Sequence, residues 1–357
     1  MDKKIFRKQL FLWYDNNRRN HPWMQHRDPY KIWLYEIIMQ QTRISQGTPY
    51  FDRFVKRYPT VQVLASADIN DILKLWEGLG YYSRARNLHT AAKQICADHG
   101  GEFPTTSQEL LKLKGIGKYT SAAIATFAYD ENVGVVDGNV YRVLARVFGI
   151  EEPIDQSQGK KTFDTLAQRL VDSKKPALYN QAIMDFGALQ CTPKKVQCGT
   201  CQMQSGCYAY NNNKVDTLPV KSKKLIKKTR FFSYMVISSR DNTVVRQRVN
   251  KDVWQLLFEF PYIEEVKSKD LTKQKIKKWL STNIGYRASF EWKNEQKVYK
   301  QQLTHQTIIG SFYKIELQSD LVLDPPYELT TPNNYRQYAF PKIIDCYLSD
   351  NSISLFK

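Results

Sequence analysis

CTPKKVQCGTCQMQSGC (Cys191–Cys207) holds four of the chain's six cysteines, with the spacing C-x(6)-C-x(2)-C-x(5)-C. Four thiolates on one short loop can enclose a single metal centre, and soft sulfur ligands suit zinc or an iron–sulfur cluster. Zinc sites generally use two close pairs joined by a longer stretch. Here Cys191 leads and Cys207 trails a central pair, Cys198 and Cys201, and the spacing alone leaves zinc and [4Fe–4S] both open. Lys194 and Lys195 lie inside the loop, which also suits a basic surface facing DNA. Cys96 and Cys346 stand apart and read as small core residues.

Outward from this loop the chain divides by pattern. Residues 1–210 carry long 3.6-period apolar segments broken by Gly and Pro, which predicts a mainly helical domain. Residues 211–230 are polar and basic and read as a linker. Residues 231–357 change character: Phe231–Ser238 and Thr307–Leu317 are aromatic and β-branched, as strands are, and Leu271–Ile284 reads as a helix. The expectation is a compact α+β domain. The 357 residues carry a net charge of +18, which favours a polyanionic partner, nucleic acid first. No stretch has the roughly 18 apolar residues of a membrane span, and the N-terminus lacks a signal peptide's apolar run. A cytoplasmic, nucleoid-associated protein is expected, and reducing conditions there favour metal ligation over disulfides.

Three further features carry chemistry. In LKGIGKYT (Leu113–Thr120), Gly115 and Gly117 let the backbone turn sharply before a helix. Its free N–H groups, with Lys118, suit a phosphate oxygen; a plain interhelical turn is the alternative. Asp28-Pro29 has the form of a helix start, and the helix is predicted to run from Tyr30 to Thr42. Between Ile32 and Met39, Glu36 is the lone charge among apolar residues. A buried carboxyl has a raised pKa and can serve as a general acid, unless a buried arginine pairs with it. Asp137 follows an apolar run and precedes a basic helix containing Arg142 and Arg146. It can cap that helix, or stabilise a cationic sugar as carboxylates do in glycoside hydrolysis.

Together, EIIMQQT (Glu36–Thr42), GLGYYSRARN (Gly78–Asn87), LKGIGKYTSAAI (Leu113–Ile124), VDGNVYRVLAR (Val136–Arg146) and NQAIMDFGALQC (Asn180–Cys191), with the cysteine loop, resemble adenine DNA glycosylases of the MutY family. These belong to the endonuclease III-like helix-hairpin-helix superfamily. The resemblance implies a helix-hairpin-helix glycosylase domain with an iron–sulfur loop and a C-terminal Nudix-like α+β domain. It implies a [4Fe–4S] cluster on Cys191, Cys198, Cys201 and Cys207. The implied partner is double-stranded DNA with adenine opposite 8-oxoguanine or guanine, bound by a monomer.

In that family the target adenine leaves the stack, and Gln41 and Tyr81 match residues that wedge into the duplex. Glu36 would protonate the adenine, Asp137 would stabilise the oxocarbenium ion, and Tyr119 and Asn139 would support the site. Trp23 and Gln181 match positions near the adenine pocket. Bifunctional relatives carry a Schiff-base lysine where this chain has Tyr119, which implies a monofunctional glycosylase. In the C-terminal part, VWQLLFEFP (Val253–Pro261) looks like a degenerate form of a family strand. Leu303-Thr304-His305 matches the family's Phe-Ser-His lesion loop with Leu in place of the ring, so Thr304 and His305 are expected at 8-oxoguanine. The Glu-rich metal helix of Nudix hydrolases is missing, so this domain reads as a recognition module. Competing readings are an endonuclease III-like glycosylase and AP lyase, a non-catalytic Fe–S DNA-binding protein, and a zinc-binding module.

Overall fold

The computed structural model describes residues 1–19, 27–222, 227–265, 271–331 and 334–351. Two compact units emerge, one of Met1–Ser66 with Asn87–Lys224, the other of Ala67–Arg86 with Leu225–Lys357. This differs from the division read in the sequence, which kept residues 67–86 with the helical part. The basic stretch after Asn211 is likewise no free linker over its described part. Val220 O accepts from Ile154 N at 3.1 Å, Leu218 O from Arg146 Nε at 3.1 Å, and Ser222 donates to Asp155.

The helical elements, in chain order, are α1 (Lys3–Asn17), α2 (Pro29–Met39), α3 (Ile44–Arg57), α4 (Val61–Ser66), α5 (Ile69–Leu75), α6 (Ser83–His99), α7 (Ser107–Leu110), α8 (Lys118–Tyr129), α9 (Gly138–Phe148), α10 (Ser157–Leu170), α11 (Pro176–Leu189) and α12 (Tyr208–Asn211). Within the first unit α2 packs on α8, α1 on α11, and α11 on α9. The small residues Ala122, Ala123 and Ala125 of α8 are buried and allow close helix approach. Phe6, Trp33, Phe54, Phe163 and Phe186 fill the core.

The start of α2 is as the sequence predicts. The Asp28 carboxylate accepts from Tyr30 N at 2.9 Å and Lys31 N at 3.4 Å, and Pro29 occupies the first turn. Its end is earlier than Thr42. The helix stops at Met39, Thr42 N closes a turn on Met39 O, and Gln41 takes a left-handed φ of 55°.

The second unit is built on a mixed sheet of β1 (Lys228–Ser239), β2 (Asn242–Gln247), β3 (Phe258–Glu259), β4 (Tyr262–Glu265), β5 (Phe290–Gln302), β6 (Gln306–Leu317) and β7 (Tyr327–Thr330). Strand order is β3-β2-β1-β6-β5, with β4 beside β1 and β7 beside β2. The long β1 and β6 run parallel from Lys228↔Gln306 to Ser239↔Leu317. Alternation along each strand sends residues to opposite faces. Met235, Ile237, Tyr313 and Ile315 pack with Ile276 and Leu280 of α13 (Lys273–Asn283). Tyr234 and Phe312 stack on each other, and Phe312 stacks on Tyr347 of α14 (Lys342–Asn351) with ring centroids 4.2 Å apart. The expected strands and helix are therefore present, in an α+β arrangement.

Residues 67–86 join this unit through specific bonds. Lys74 Nζ donates to Tyr338 O at 2.9 Å, Phe340 N to a Glu77 carboxylate oxygen at 3.1 Å, Gln247 Nε2 to Asn70 Oδ1 at 2.8 Å, and Arg86 Nη1 to Gln255 O at 2.8 Å. Among the described residues no helix is long and apolar enough to cross a membrane.

Candidate active site

The first unit brings Glu36, Tyr119, Asp137 and Asn139 into one polar cluster. Glu36, on the buried side of α2, is 7% exposed and accepts from the Tyr119 hydroxyl at 2.7 Å. Tyr119 stands in the first turn of α8 and also meets Met184 Sδ at 3.9 Å. Among the described residues Glu36 has no cationic partner. Burial pushes its carboxyl up to about 7; the Tyr119 hydrogen bond opposes this and the charge of Asp137 adds to it. Burial and the same two carboxylates push the Tyr119 phenol well above its ordinary value, so it remains a donor.

Asp137 caps α9, accepting from Val140 N at 2.7 Å on one oxygen and from Asn139 Nδ2 at 2.7 Å on the other. Burial raises its pKa, against the pull of these donors. The capping alternative is thus realised, and it also fixes the carboxylate beside Glu36. Asn139 is held in turn by Arg142, whose Nη2 donates to Asn139 Oδ1 at 2.8 Å and to Gly187 O at 2.5 Å. Gly187 is required there by contact: a Cβ at this position would stand 2.7 Å from Asn139 Cβ. Arg142 Nε reaches Cys191 O at 2.7 Å, and Arg146 Nη1 reaches Thr192 O at 2.7 Å and Cys191 Sγ at 3.5 Å. Two buried arginines of α9 thereby join the Asp137–Asn139 turn to the cysteine loop.

None of the six cysteines is paired in a disulfide. Burial raises the pKa of Cys191, Cys198 and Cys201, the last to about 11, and each also feels the charge of other loop cysteines. Among the described residues no three or more His, Cys, Asp or Glu side chains close tightly enough to hold a metal ion. The donor chemistry still fits a thiolate-bound cluster: four neighbouring sulfurs beside buried guanidinium groups that offset thiolate charge.

Gln181 is buried in α11 and donates to Asp185 Oδ1 at 2.9 Å. The same carboxylate, fully buried, receives the Arg19 guanidinium at 2.5 and 2.9 Å. Sequence reasoning passed over Arg19 and Asp185. A single charged residue inside the otherwise uncharged NQAIMDFGAL run of α11 was the available signal. Trp23 lies outside the described residues.

The turn before α8 has the expected form. Gly115 has φ +77° and leaves no room for a Cβ beside Asn87, and Gly117 is an N-cap without a side-chain hydrogen bond and with open space around it. The first N–H groups of α8 are therefore available to an anion. Lys118 is exposed and pairs with Asp164 at 3.5 Å. Gln41 is exposed beyond α2.

In the second unit Tyr81 also has a left-handed φ of 48° and is 44% exposed. Strained non-glycine backbone of this kind collects at functional sites. The tip joining β5 to β6 is Leu303-Thr304-His305, closed by Leu303 N on Gln306 O at 2.8 Å. The hydroxyls of Tyr81 and Thr304 are hydrogen-bonded to each other, so two expected DNA-reading residues meet within this unit.

Comparison with known proteins identifies the family of the chain. The family model of the HhH-GPD superfamily base excision DNA repair protein matches residues 34–169. The adenine DNA glycosylase of Buchnera aphidicola subsp. Schizaphis graminum is 35% identical over 280 residues, 78% of this chain and 79% of that one. That of Buchnera aphidicola subsp. Baizongia pistaciae is 32% identical over 315 residues, 86% of this chain and 85% of that one. Among solved structures, a thermostable thymine-DNA glycosylase superposes with a TM-score of 0.55 at 31% identity, covering 59% of this chain and 97% of its own. With the helix-hairpin-helix turn, the paired carboxylates and these extended similarities in hand, the chain belongs to the adenine DNA glycosylase family.

Proposed function

We propose that this protein hydrolyses the N-glycosidic bond of adenine mispaired with 8-oxoguanine or guanine in double-stranded DNA, as a monofunctional enzyme of base excision repair. The observation that carries the reading is Glu36: buried, bonded to a neutral phenol, unpaired with any described cation, and raised to about 7. A carboxyl so placed is protonated over much of the neutral range and can deliver its proton to an extrahelical adenine. Proton transfer from Glu36 makes the base a better leaving group. As the bond breaks, positive charge grows on the sugar and Asp137 stabilises it, until a water adds to the anomeric carbon and its released proton restores the Glu36 carboxyl. Asn139, fixed by Arg142, keeps the Asp137 oxygens aimed. Gln181, held by Asp185, is assigned to the base pocket together with Trp23. Gly115, Gly117 and Lys118 hold a backbone phosphate, and Gln41 and Tyr81 each serve as a wedge into the duplex that compensates for lost stacking.

Tyr119 stands where a lyase would need an amine, and its raised phenol pKa leaves it a poor nucleophile. Strong borohydride trapping of the protein on its substrate, abolished by Lys118→Ala, would overturn the monofunctional reading. Cys191, Cys198, Cys201 and Cys207 would hold a [4Fe–4S] cluster. When bound it supplies iron–thiolate crosslinks that stiffen the loop to which Arg142 and Arg146 are tied. A colourless protein with bound zinc would remove this part of the proposal. The β5–β6 tip, through Thr304 and His305, reads 8-oxoguanine on a Nudix-like scaffold.

The test is single-turnover adenine release from duplexes with adenine opposite 8-oxoguanine, guanine or thymine. Release is expected in that order of rate. Equal rates opposite 8-oxoguanine and guanine would remove the lesion-reading role, and no release from any duplex would leave a DNA-binding protein only.

A further inference from the structure

The sheet unit contains a cavity lined by residues 78–83, Arg86, the loop 252–254, the β5–β6 tip 301–306 and Lys342. Its charge is one-sided. Asp252, the acid among its described lining residues, is already shared by two guanidinium groups, Arg230 at 3.1 Å and Arg248 at 2.7 Å. Three basic side chains line the same cavity: Arg86, His305 and Lys342. Arg86 is half-buried and directs Nη1 to Gln255 O. Lys342 and His305 are exposed, and neither side chain has a hydrogen-bond or ion-pair partner among the described residues. The exposed Lys342 ammonium, without a partner among the described residues, lets this concave surface concentrate anions. The hydrogen-bonded hydroxyls of Tyr81 and Thr304 belong to the same lining.

We propose that this cavity seats a backbone phosphate of the strand whose base Thr304 reads, with Lys342 as its principal cation and Arg86 and His305 beside it. The inference rests on the reading of the β5–β6 tip as the lesion-contacting element. Lys342 and Thr304 then have separate roles within one cavity, because phosphate contacts set register and affinity without sequence information, whereas the base contact sets specificity. A phosphate fixed beside Thr304 would hold the opposite base in reach of one short hydroxyl, which matters because Leu303 offers no aromatic surface for stacking.

The experiment titrates full-length protein with uncleavable duplexes over a range of salt, using wild type, Lys342→Ala and Lys342→Arg. Lys342→Ala is expected to weaken binding to lesion and guanine duplexes by the same factor. It should also flatten the plot of log K against log salt by about 0.9, the value for one phosphate. Lys342→Arg should restore both. A single methylphosphonate scanned along the lesion strand should reproduce the loss at one position in wild type and add nothing to Lys342→Ala. An unchanged salt slope, or no methylphosphonate position that couples to Lys342, overturns the proposal. Thr304→Ala, run in parallel, should alter the ratio of lesion to guanine binding and leave the salt slope alone. Should that ratio stay fixed while the Lys342 results hold, lesion reading by Thr304 fails and the phosphate site stands.

Discussion

Among the described residues each unit buries one glutamate, Glu36 or Glu259, and the two are handled in opposite ways. Among the described residues Glu36 meets the Tyr119 hydroxyl and the repelling charge of Asp137, and no cation. Glu259, fully buried on β3, receives Arg248 at 2.5 Å and Arg246 at 3.0 Å. Burial pushes both carboxyls up, but at Glu259 the two guanidinium groups pull back. A buried acid without a counterion is a proton store; the same acid between two arginines is an ion-pair cross-brace. The arginines also lie against aromatic faces, Arg248 over Tyr262 at 4.9 Å and Arg246 over Tyr262 at 4.9 Å.

The comparison can be broken most forcefully at the acids themselves. Glu36→Gln is expected to lower the single-turnover rate of adenine release by about 10²–10⁴-fold, the span of general acid catalysis, with folding retained. Glu259→Gln should leave that chemistry in place and destabilise the sheet unit by about 3–5 kcal/mol, because the buried Arg248 and the half-buried Arg246 lose their charge partner. Separate unfolding of the two units by heat would read this out. If Glu259→Gln abolished release in protein of unchanged stability, the division of labour would be wrong.

The next effect is on pH dependence. Since Glu36 acts protonated, the rate should fall about tenfold per pH unit above about 7, and Glu36→Gln should lack this limb. Stability carries the same sign. The folded pKa lies above the ordinary 4.5, so folding binds the proton more tightly than the unfolded chain does. The contribution is whole below 4.5 and lost as pH rises through about 7, on the order of 3 kcal/mol in all. Denaturant midpoints of wild type and Glu36→Gln at pH 5 and 8 should therefore converge at the lower pH and diverge at the higher, the variant being the more stable there. A smaller change sharpens the picture. Tyr119→Phe removes the one hydrogen bond that lowers the Glu36 pKa, so the alkaline limb should move upward while the rate at its plateau changes only several-fold.

Much of this was legible in the sequence for stated reasons. Glu36 stood out because an apolar helix leaves a charged residue nowhere to go. Asp28-Pro29 and Asp137 showed themselves as caps, since capping is local chemistry. Contacts made across the chain were not legible. Arg19 and Asp185 are an ion pair separated by 166 positions, and no spacing rule reaches that far. Residues 67–86 carry the same helical periodicity as their neighbours, so nothing in their composition reveals that Lys74, Glu77 and Arg86 bond into the sheet unit. The parallel pairing of β1 with β6 was hidden for the same reason: each strand announces itself, but its partner is chosen by the fold.

Gly187 has a bearing on inherited variation. It sits on α11, away from the Asp137–Asn139 turn in sequence, yet one added methyl would press on Asn139. A missense change there is expected to act first on Asn139 and, through it, on the Asp137 carboxylate to which Asn139 is bonded. Such an allele would surface as an elevated mutation rate in the genome this enzyme guards.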